Sequence, residues 1–302
     1  MQIQGVPTQG DAGYNGLTKR QEGLPADYYF DRTRYERELE CIWYRNWIYV
    51  GRSEDLLLPR SFRTFEIGDQ RVLLVRDEAG DLPLYYTEWN ISSNPRDPMH
   101  DEPYAAAFIT KTIMEANGLV QGYSYWTFSD IFEENYFPSV PFQGGFGLLN
   151  IHGIAKPAYR AYELLHALGT EMMPVEGTHP TVDAWVVLDE GSATALLTNY
   201  ALPRHPIAVE TIHLKLGNAR APKGATIRRI DKDHANAKGR WQEMGSPDYL
   251  NSAVVAELNA VSRCEPESHA FEFEDGTVGF EVTLPPLSVV AVTFEFAARD
   301  GG

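Results

Sequence analysis

The hydrophobic and polar positions of this chain follow three successive patterns, and the first is the weakest. Residues 1–22 are rich in glycine and glutamine and show no period, which is typical of a loosely held tail. Asp31 is placed to cap a helix. The apolar residues that follow it at helical spacing are Tyr35, Leu39, Ile42 and Trp43.

Three short apolar runs come after this helix, at residues 47–50, 62–67 and 71–75. Each has the length of a short strand, and Gly68-Asp69 suits a tight hairpin turn between the last two. The helix and the strands together predict a small α+β segment that ends near residue 82.

The central part changes to the order strand, helix, strand, helix. Residues 82–87 predict the first strand, and Asp101 is a suitable N-cap for the helix that follows. Residues 123–128 predict the second strand, with Phe128 in the core, and Pro157 opens the second helix. In parallel α/β folds, chemistry is placed where such strands end.

The C-terminal part alternates between apolar and polar residues in short runs, and turn signals separate the runs. This pattern predicts an all-β sandwich, interrupted by a loop at 241–250 and a helix at 252–262. The runs predicted as strands are residues 184–188, 193–199, 208–216, 225–230, 270–274, 278–284 and 287–295.

Composition narrows the class of partner. The 302 residues are 43% hydrophobic and 12% aromatic, which is typical of a globular chain with a sizeable core. The net charge of −16 disfavours nucleic acid and anionic membranes, because both require a positive patch. We therefore expect neither as a partner.

The start of the chain lacks a basic segment followed by an apolar run, and no stretch of about 18 apolar residues occurs. We therefore expect a cytoplasmic protein without a membrane span. Cys41 and Cys264 do not make a zinc or iron–sulfur site by themselves. We expect no metal and no cofactor, since His205, His213, His234 and His269 also lack ligand-like spacing.

Candidate chemistry gathers at the ends of the two central strands. Sugar-binding sites combine carboxylates, amide groups and an aromatic platform, and all three types occur there. The alternative that the pattern leaves open is a solvated glutamate beside aromatic residues of the core. The candidate site residues are Glu88, Trp89, Asn90, Trp126, Glu133 and Glu134.

The same stretch resembles glycoside hydrolase family 39, most closely its β-xylosidases. The motifs that carry the resemblance are Thr87-Glu88-Trp89-Asn90, His100-Asp101, Ser124-Tyr125-Trp126-Thr127-Phe128-Ser129-Asp130, Phe132-Glu133-Glu134, Phe142, Gly144-Gly145-Phe146-Gly147-Leu148 and Lys156-Pro157. That family has a (β/α)₈ barrel followed by a β-sandwich. The resemblance implies that this chain holds the last two βα units of the barrel and then the sandwich.

The resemblance also implies roles for individual residues. Glu88 would be the catalytic nucleophile at the end of the seventh strand of the barrel, and Trp126 would line the sugar subsite from the eighth. Glu133 and Glu134 would contact sugar hydroxyls. Residues 241–250 resemble a loop that leans toward the barrel, where it either binds sugar or stabilises the barrel.

A retaining glycosidase requires two carboxyl groups about 5–5.5 Å apart, one as nucleophile and one as acid/base. The family's acid/base is the glutamate of an Asn-Glu-Pro motif, and this sequence does not contain that motif. Asn94-Pro95 and Glu102-Pro103 are fragments of it in the wrong element. We therefore expect an incomplete catalytic site.

The N-terminal segment shows a different resemblance. Leu24-Pro25-Ala26-Asp27-Tyr28-Tyr29, Trp47-Ile48-Tyr49-Val50-Gly51-Arg52 and Arg71-Val72-Leu73-Leu74-Val75-Arg76-Asp77 are similar to the start of a Rieske-type ring-hydroxylating oxygenase α subunit. The Cys-x-His and Cys-x-x-His motifs that hold the cluster in that family do not occur here. The two resemblances meet near residues 80–84, which predicts a chimeric junction.

The predicted architecture is a multidomain α+β protein. It comprises a tail (1–22), an α+β segment without a metal site (23–82), a partial (β/α)₈ barrel (83–170) and a β-sandwich (171–302).

The main functional hypothesis is retaining hydrolysis of β-xylosides by an incomplete site. A non-catalytic carbohydrate-binding or vestigial fusion protein is the first alternative, and a Rieske-oxygenase-related protein is the second. The predicted partner is a xylose-type carbohydrate. Pairing of open barrel edges in a homo-oligomer is a further hypothesis.

Overall fold

The computed structural model describes residues 25, 27–43, 55–56, 58–67, 70–76, 85–131 and 139–297. The chain divides into two compact units, Met1–Leu82 and Pro83–Gly302, and each is considered by itself. Several predicted features lie outside the described residues. They are the tail at 1–22, the strand at 47–50, the turn at Gly68-Asp69, and both Glu133 and Glu134.

The first unit contains the predicted helix and hairpin. Its elements are α1 (Asp27–Phe30), α2 (Arg32–Glu38), a π-helix (Leu39–Trp43), β1 (Phe62–Ile67) and β2 (Gln70–Val75). Asp31 caps α2, because its carboxylate accepts from the backbone N–H of Thr33 at 2.7 Å and of Arg34 at 3.2 Å. β1 and β2 pair antiparallel from Phe62↔Val75 to Ile67↔Gln70, so the helix start and the hairpin are confirmed.

The second unit opens with the strand–helix–strand–helix order that the sequence predicts. β3 (Tyr85–Trp89) and β4 (Gly122–Tyr125) pair in parallel. α3 (Pro103–Glu115) connects them, and α4 (Pro157–His166) follows. A short 3₁₀ helix (Pro98–Asp101) precedes α3.

Two predictions about this part are wrong. The N-cap of α3 is Glu102 and not Asp101, whose carboxylate is directed instead to the backbone N–H of Gly144 at 2.6 Å. Phe128 is 68% exposed rather than buried, because β4 ends at Tyr125. Trp126 N–H still donates to the Trp89 carbonyl of β3. From Thr127 onward the chain bonds instead to the glycine-rich loop (residues 139–150), where Leu149 N–H donates to the Phe128 carbonyl.

The remainder is a β-sandwich, and all seven predicted strands are present in it. A six-stranded sheet in the order β10-β9-β13-β7-β6-β5 faces a three-stranded sheet in the order β11-β12-β8. The sequence did not predict the short strands β5 and β10. The strands are β5 (Glu171–Met173), β6 (Val182–Asp189), β7 (Ser192–Asn199), β8 (Glu210–Leu216), β9 (Gly224–Ile230), β10 (Glu267–Ser268), β11 (Glu272–Glu274), β12 (Thr277–Leu284) and β13 (Ser288–Glu295).

β13 is buried on both faces, and this explains its nearly continuous apolar run. Val290 and Val292 face the core between the two sheets. Val289 and Ala291 belong to a second core, in which α3 and α4 pack on the six-stranded sheet. The helices contribute several alanines to that core, Ala105 and Ala158 among them, and these small side chains let helix and sheet approach closely.

The long insertion of the sandwich forms α5 (Ala237–Glu243) and α6 (Ser252–Val261). Trp241 on α5 is buried and packs on Phe142 of the glycine-rich loop, with ring centroids 5.5 Å apart. This contact favours a stabilising role for the 241–250 loop over direct sugar binding. Among the described helices, none combines the length and the apolarity that a bilayer crossing requires.

Candidate active site

Glu88 is the penultimate residue of β3, and its side chain is exposed. The parallel register pairs Trp89 with Tyr125, so the carboxyl ends of β3 and β4 meet at one edge. A register irregularity between Tyr86 and Trp89 lies just before this end. Glu88 is therefore displayed at the end of the strand pair, the position at which barrel enzymes place catalytic groups.

Trp89 follows Glu88 but contacts the core. Its ring centroid lies 5.9 Å from that of Phe108 on α3, 5.3 Å from that of Tyr123 and 6.0 Å from that of Tyr125. Successive side chains of a strand point to opposite faces, so an exposed Glu88 places Trp89 on the helix side. The geometry therefore does not favour the predicted contact between Trp89 and substrate.

Asn90 joins three chain segments with its amide group. Its Nδ2 donates to the carbonyl of Trp126 and, at 3.2 Å, to that of Phe146. Its Oδ1 accepts from the N–H of Ile91 at 2.7 Å and from the hydroxyl of Tyr125 at 2.9 Å. The donors and acceptors of the amide are occupied by protein groups, so Asn90 positions the site rather than offering hydrogen bonds to a sugar.

The hydroxyl of Tyr125 is a reliable donor in this arrangement. Burial raises the pKa of Tyr125 well above its ordinary value, and the phenol therefore stays protonated. Its bond to Asn90 fixes which end of the amide faces Trp126.

Trp126 is brought next to Glu88 by the backbone. Its N–H donates to the carbonyl of Trp89 at 3.0 Å, and the peptide bond between Trp126 and Thr127 is cis. The side chain is partly buried. Of the six candidate residues, Glu88, Trp89, Asn90 and Trp126 thus lie together, and the other two fall outside the described chain.

Behind this edge lies a fully buried group of charges. Lys156 Nζ is 2.6 Å from Asp101 Oδ1 and 2.7 Å from Asp130 Oδ2, and it donates to the carbonyl of Gly145 at 3.0 Å. The three charged side chains are at most 1% exposed. They come from the 3₁₀ helix, the segment after β4 and the start of α4, so one ammonium group fixes three elements.

The charges in this group influence one another. Burial by itself would lower the pKa of Lys156, but Asp101 and Asp130 together raise it. For Asp130, burial is the largest effect and raises the pKa, while Lys156 opposes it. Two aspartates and one lysine leave a formal charge of −1, and the backbone N–H of Gly144 and of Gly147 donate to these carboxylates.

The glycines of the adjacent loop are required by close approach. A Cβ on Gly145 would lie 2.4 Å from Asp130 Oδ1, and a Cβ on Gly147 would lie 2.2 Å from the backbone carbon of Ser129. The close approach lets the Gly147 N–H donate to Asp130 Oδ1 at 2.8 Å, and it lets the Gly145 carbonyl accept from Lys156 at 3.0 Å.

Sequence reasoning missed the structural role of Asp101, Asp130 and Lys156. It interpreted Asp101 as a helix cap, and Asp130 and Lys156 entered only as members of the family 39 motifs. A usable signal was Lys156, which lies between the apolar pair Ile154-Ala155 and the helix-opening Pro157. A lysine in such a buried run requires an anionic partner.

The buried group also limits the chemistry. Both of its carboxylates are engaged by Lys156, so neither is available as a general acid. Among the described residues, no cluster of three histidine, cysteine or acidic side chains has metal-binding geometry. What the described site offers is one exposed carboxylate on a rigidly held strand end.

Comparison with known proteins identifies the family. The model for glycosyl hydrolases family 39 matches residues 62–278, more than two thirds of the chain. A beta-xylosidase of Caldicellulosiruptor saccharolyticus is 45% identical over 230 residues, which are 75% of this chain and 47% of that protein. A beta-xylosidase of Geobacillus stearothermophilus is 27% identical over 277 residues, 90% of this chain and 52% of that protein. The chain thus spans about half the length of these curated relatives.

Solved structures give the same result. The family 39 enzyme of Xanthomonas axonopodis pv. citri is 31% identical with a TM-score of 0.62, and the match covers 72% of this chain and 45% of that one. A monomeric beta-xylosidase of Caulobacter crescentus CB15 is also 31% identical with a TM-score of 0.61, covering 72% and 46%. These structures are consistent with a partial barrel followed by a sheet domain.

The resemblance of residues 23–82 to a Rieske-type oxygenase gains no support from these comparisons. The family 39 match begins at residue 62 and therefore crosses the expected junction at 80–84. The alignment with the Geobacillus relative leaves only a tenth of the chain outside, so it includes more than half of residues 1–82. On the extent of the family match and on the identity of its relatives, this chain belongs to glycosyl hydrolase family 39.

Proposed function

We propose that this chain carries the nucleophile side of a retaining glycosidase site that acts on β-xylosides, with Glu88 as the nucleophile. The observation that carries the proposal is the contrast between Glu88 and its neighbours. Glu88 is exposed at the carboxyl end of β3, while Trp89 and Asn90 on the same strand end are engaged by the protein. The names of the curated relatives supply the substrate class.

In this mechanism the Glu88 carboxylate attacks the anomeric carbon of the sugar. The bond to the leaving-group oxygen breaks as the bond to Glu88 Oε forms, which gives a covalent glycosyl-enzyme. Water then hydrolyses that ester, restores the carboxylate and releases the sugar with retention at the anomeric carbon. Asn90 holds the strand end in position, because it ties the Trp126 and Phe146 backbones to the segment that carries Glu88.

The remaining candidate residues have proposed roles in binding. Trp126 would stack on the sugar ring, since its backbone is anchored beside Glu88 at the rim. Glu133 and Glu134 would accept hydrogen bonds from sugar hydroxyls, as the family resemblance implies. We assign Trp89 and Asn90 to positioning, because their contacts are made within the protein.

The same proposal includes an incomplete acid/base function. The sequence lacks the Asn-Glu-Pro motif, and Lys156 engages both Asp101 and Asp130. Glycosyl transfer to Glu88 is then restricted to substrates whose leaving group departs without protonation. We further propose that residues 83–170 are the last two βα units of the barrel and that residues 171–302 form the sandwich. We also propose a cytoplasmic location and a homo-oligomer that pairs the open barrel edges.

The test is a burst experiment with 2,4-dinitrophenyl β-xyloside, which needs little acid assistance. We expect a release of dinitrophenol stoichiometric with protein, followed by slow turnover. The Glu88→Gln variant should lose the burst, because the amide is not a nucleophile. The matched control is Glu176→Gln, which changes an exposed glutamate in the loop after β5 and should leave the burst unchanged. A full burst in Glu88→Gln would rule out Glu88 as the nucleophile.

Carbohydrate binding without turnover is the second candidate, and the missing acid/base favours it. In that case no burst appears, while a xylo-oligosaccharide still binds and Trp126→Ala abolishes the binding. A burst that depends on Glu88 would reject this candidate.

A further inference from the structure

His100 is a buried histidine of the 3₁₀ helix that precedes α3, and its side chain is 1% exposed. Its Nδ1 lies 2.8 Å from the carbonyl oxygen of Gly144 in the glycine-rich loop. A carbonyl oxygen only accepts hydrogen bonds, so Nδ1 carries the hydrogen and donates it. Nε2 is buried and has no hydrogen-bond partner among the described residues. Within the described part of the chain, the imidazole ring therefore directs its hydrogen bonding to the backbone of this loop.

The neighbouring residue holds the other polar group of Gly144. Asp101 Oδ2 accepts from the Gly144 N–H at 2.6 Å, so two consecutive side chains engage the carbonyl and the N–H of one residue. Gly144 has φ +76°, and a Cβ there would lie 2.5 Å from the backbone oxygen of Asp97. The glycine-rich loop is thus seated directly on the segment that precedes α3.

The same imidazole ring also contacts Phe146, two residues further along the loop, with ring centroids 5.2 Å apart. The Phe146 carbonyl accepts from the Thr127 N–H at 3.0 Å and from Asn90 Nδ2 at 3.2 Å. Asn90 Nδ2 also donates to the Trp126 carbonyl. Both polar groups of the peptide that joins Trp126 to Thr127 are therefore held by partners that meet at the Phe146 carbonyl.

We propose that His100 is a positioning residue for Trp126, the candidate sugar platform beside Glu88. The proposal rests on the proposed glycosidase function and adds to it a residue that does not touch the substrate. The bond from His100 to Gly144 fixes the loop, and the loop fixes the carbonyl that orients the peptide after Trp126. Without the Nδ1 donor the buried Gly144 carbonyl loses its partner, and the loop shifts. The platform then moves relative to Glu88, and reaction rates are sensitive to displacements of about 1 Å.

The experiment compares His100→Asn with His100→Leu, because the two new side chains have nearly the same shape and differ in the donor. Asparagine places its Nδ2 as many bonds from Cβ as Nδ1 of the histidine, whereas leucine has no donor. With saturating 2,4-dinitrophenyl β-xyloside, the rate constant of the burst should fall at least about fivefold in His100→Leu, the order expected of one hydrogen bond. His100→Asn should retain most of the wild-type rate constant. The control is His166→Leu, which changes an exposed histidine at the end of α4 and should leave the rate constant unchanged.

A second measurement does not depend on activity. Hydrogen exchange of the Thr127 amide, followed by NMR, reports the bond from that amide to the Phe146 carbonyl. The Leu197 amide in β7 serves as the reference for changes in overall stability. Relative to that reference, Thr127 should exchange at least about fivefold faster in His100→Leu than in His100→Asn. If His100→Leu does not fold, His100→Gln replaces it, because its amide lies one bond further from Cβ.

Several results would overturn the proposal. Equal burst rate constants in His100→Asn and His100→Leu, per folded molecule, would show that the side chain only fills space. A slower burst without faster exchange at Thr127 would show that the effect does not pass through the Phe146 carbonyl. If the wild type shows no burst, the proposed glycosidase fails, and the exchange of Thr127 alone then decides whether His100 holds the peptide after Trp126.

Discussion

The β-sandwich differs in packing from the segment formed by β3, α3, β4 and α4, here called the barrel piece, although both belong to the same compact unit. In the sandwich, β13 sends Val290 and Val292 into one apolar core and Val289 and Ala291 into another. In the barrel piece, the segments that flank the candidate site meet around Lys156, a buried cation. Apolar contacts tolerate small shifts, whereas charge-assisted hydrogen bonds have directions. The directional contacts of the barrel piece therefore lie next to the candidate active site, where the positions of side chains determine the chemistry.

The difference suggests a division of roles. The sandwich and the helices that pack on it supply area buried from water. The polar contacts fix the positions of the strand ends, because Asn90 and Lys156 each join segments that are distant in sequence. Substitutions in the two regions should therefore differ in how the loss in free energy of unfolding depends on pH. The size of the loss should also change with the distance of the substituted residue from the buried charges.

The largest expected effect is that of Lys156→Met. Removing one partner of a buried ion group costs about 3–5 kcal/mol, because it leaves charge without compensation. The pKa of Asp130 is already raised by burial, so the folded protein holds that proton more tightly than the unfolded chain. The contribution of Asp130 to the free energy of unfolding therefore falls as the pH rises through its raised pKa. In Lys156→Met this fall with pH should be larger than in the wild type. Urea unfolding at several pH values measures it.

The matched comparison is Leu197→Ala, which removes a fully buried sandwich side chain. The expected cost is about 2–5 kcal/mol, but it arises from a cavity and should not vary with pH. The Lys156→Met deficit should shrink in acid as the aspartates become protonated, while the Leu197→Ala deficit stays constant. Parallel pH profiles for the two variants would refute the division of roles.

An intermediate effect is expected for Gly145→Ala. The new Cβ would lie 2.4 Å from Asp130 Oδ1, so the loop or the carboxylate has to move. Overpacking of this kind costs about 1–3 kcal/mol, and the shift should also reduce the rate of the dinitrophenol burst. The control is Gly279→Ala in β12, where a Cβ meets open space. Equal stability of the two variants in urea unfolding would show that the contact is adaptable.

The sandwich was the part most open to prediction from sequence. The bounds of seven strands were predicted to within a few residues. The reason is that alternating apolar and polar residues mark the buried face of a strand, and turn residues mark its ends. The pair β3 and β4 and the helices α3 and α4 were found for the same reason. The short strands β5 and β10 were missed because two or three residues are too few to show a period.

The contacts that fix the candidate site could not be predicted in this way. Asp101 accepts from Gly144 across 43 residues, and Asn90 donates to the Phe146 carbonyl across 56. Hydrogen bonds between residues so far apart in sequence leave no periodic pattern. An aspartate just before a helix is therefore interpreted as a cap. Glu88 itself was located at the strand end from its neighbours, but its role remains a prediction that the burst experiment tests.

The smallest effect should be that of Lys111→Gln, which removes one ion pair between α3 and β6 and a second one within α3. Lys111 Nζ lies 2.6 Å from Glu115 and 2.7 Å from Asp183, on partly exposed side chains. Burial would lower the pKa of Lys111, but the bonds to Asp183 and Glu115 raise it overall. Its contribution is therefore present below the ordinary lysine pKa and is lost as the pH rises through the raised value.

We expect a loss of about 0.5 kcal/mol that diminishes at high salt, because partly exposed pairs are screened. The control is Lys223→Gln, which changes an exposed lysine before β9. Urea unfolding at low and high salt measures both variants. A loss above about 2 kcal/mol for Lys111→Gln would exceed what partly exposed ion pairs contribute. The sandwich would then also depend on directional polar links, and the contrast with the barrel piece would be one of degree.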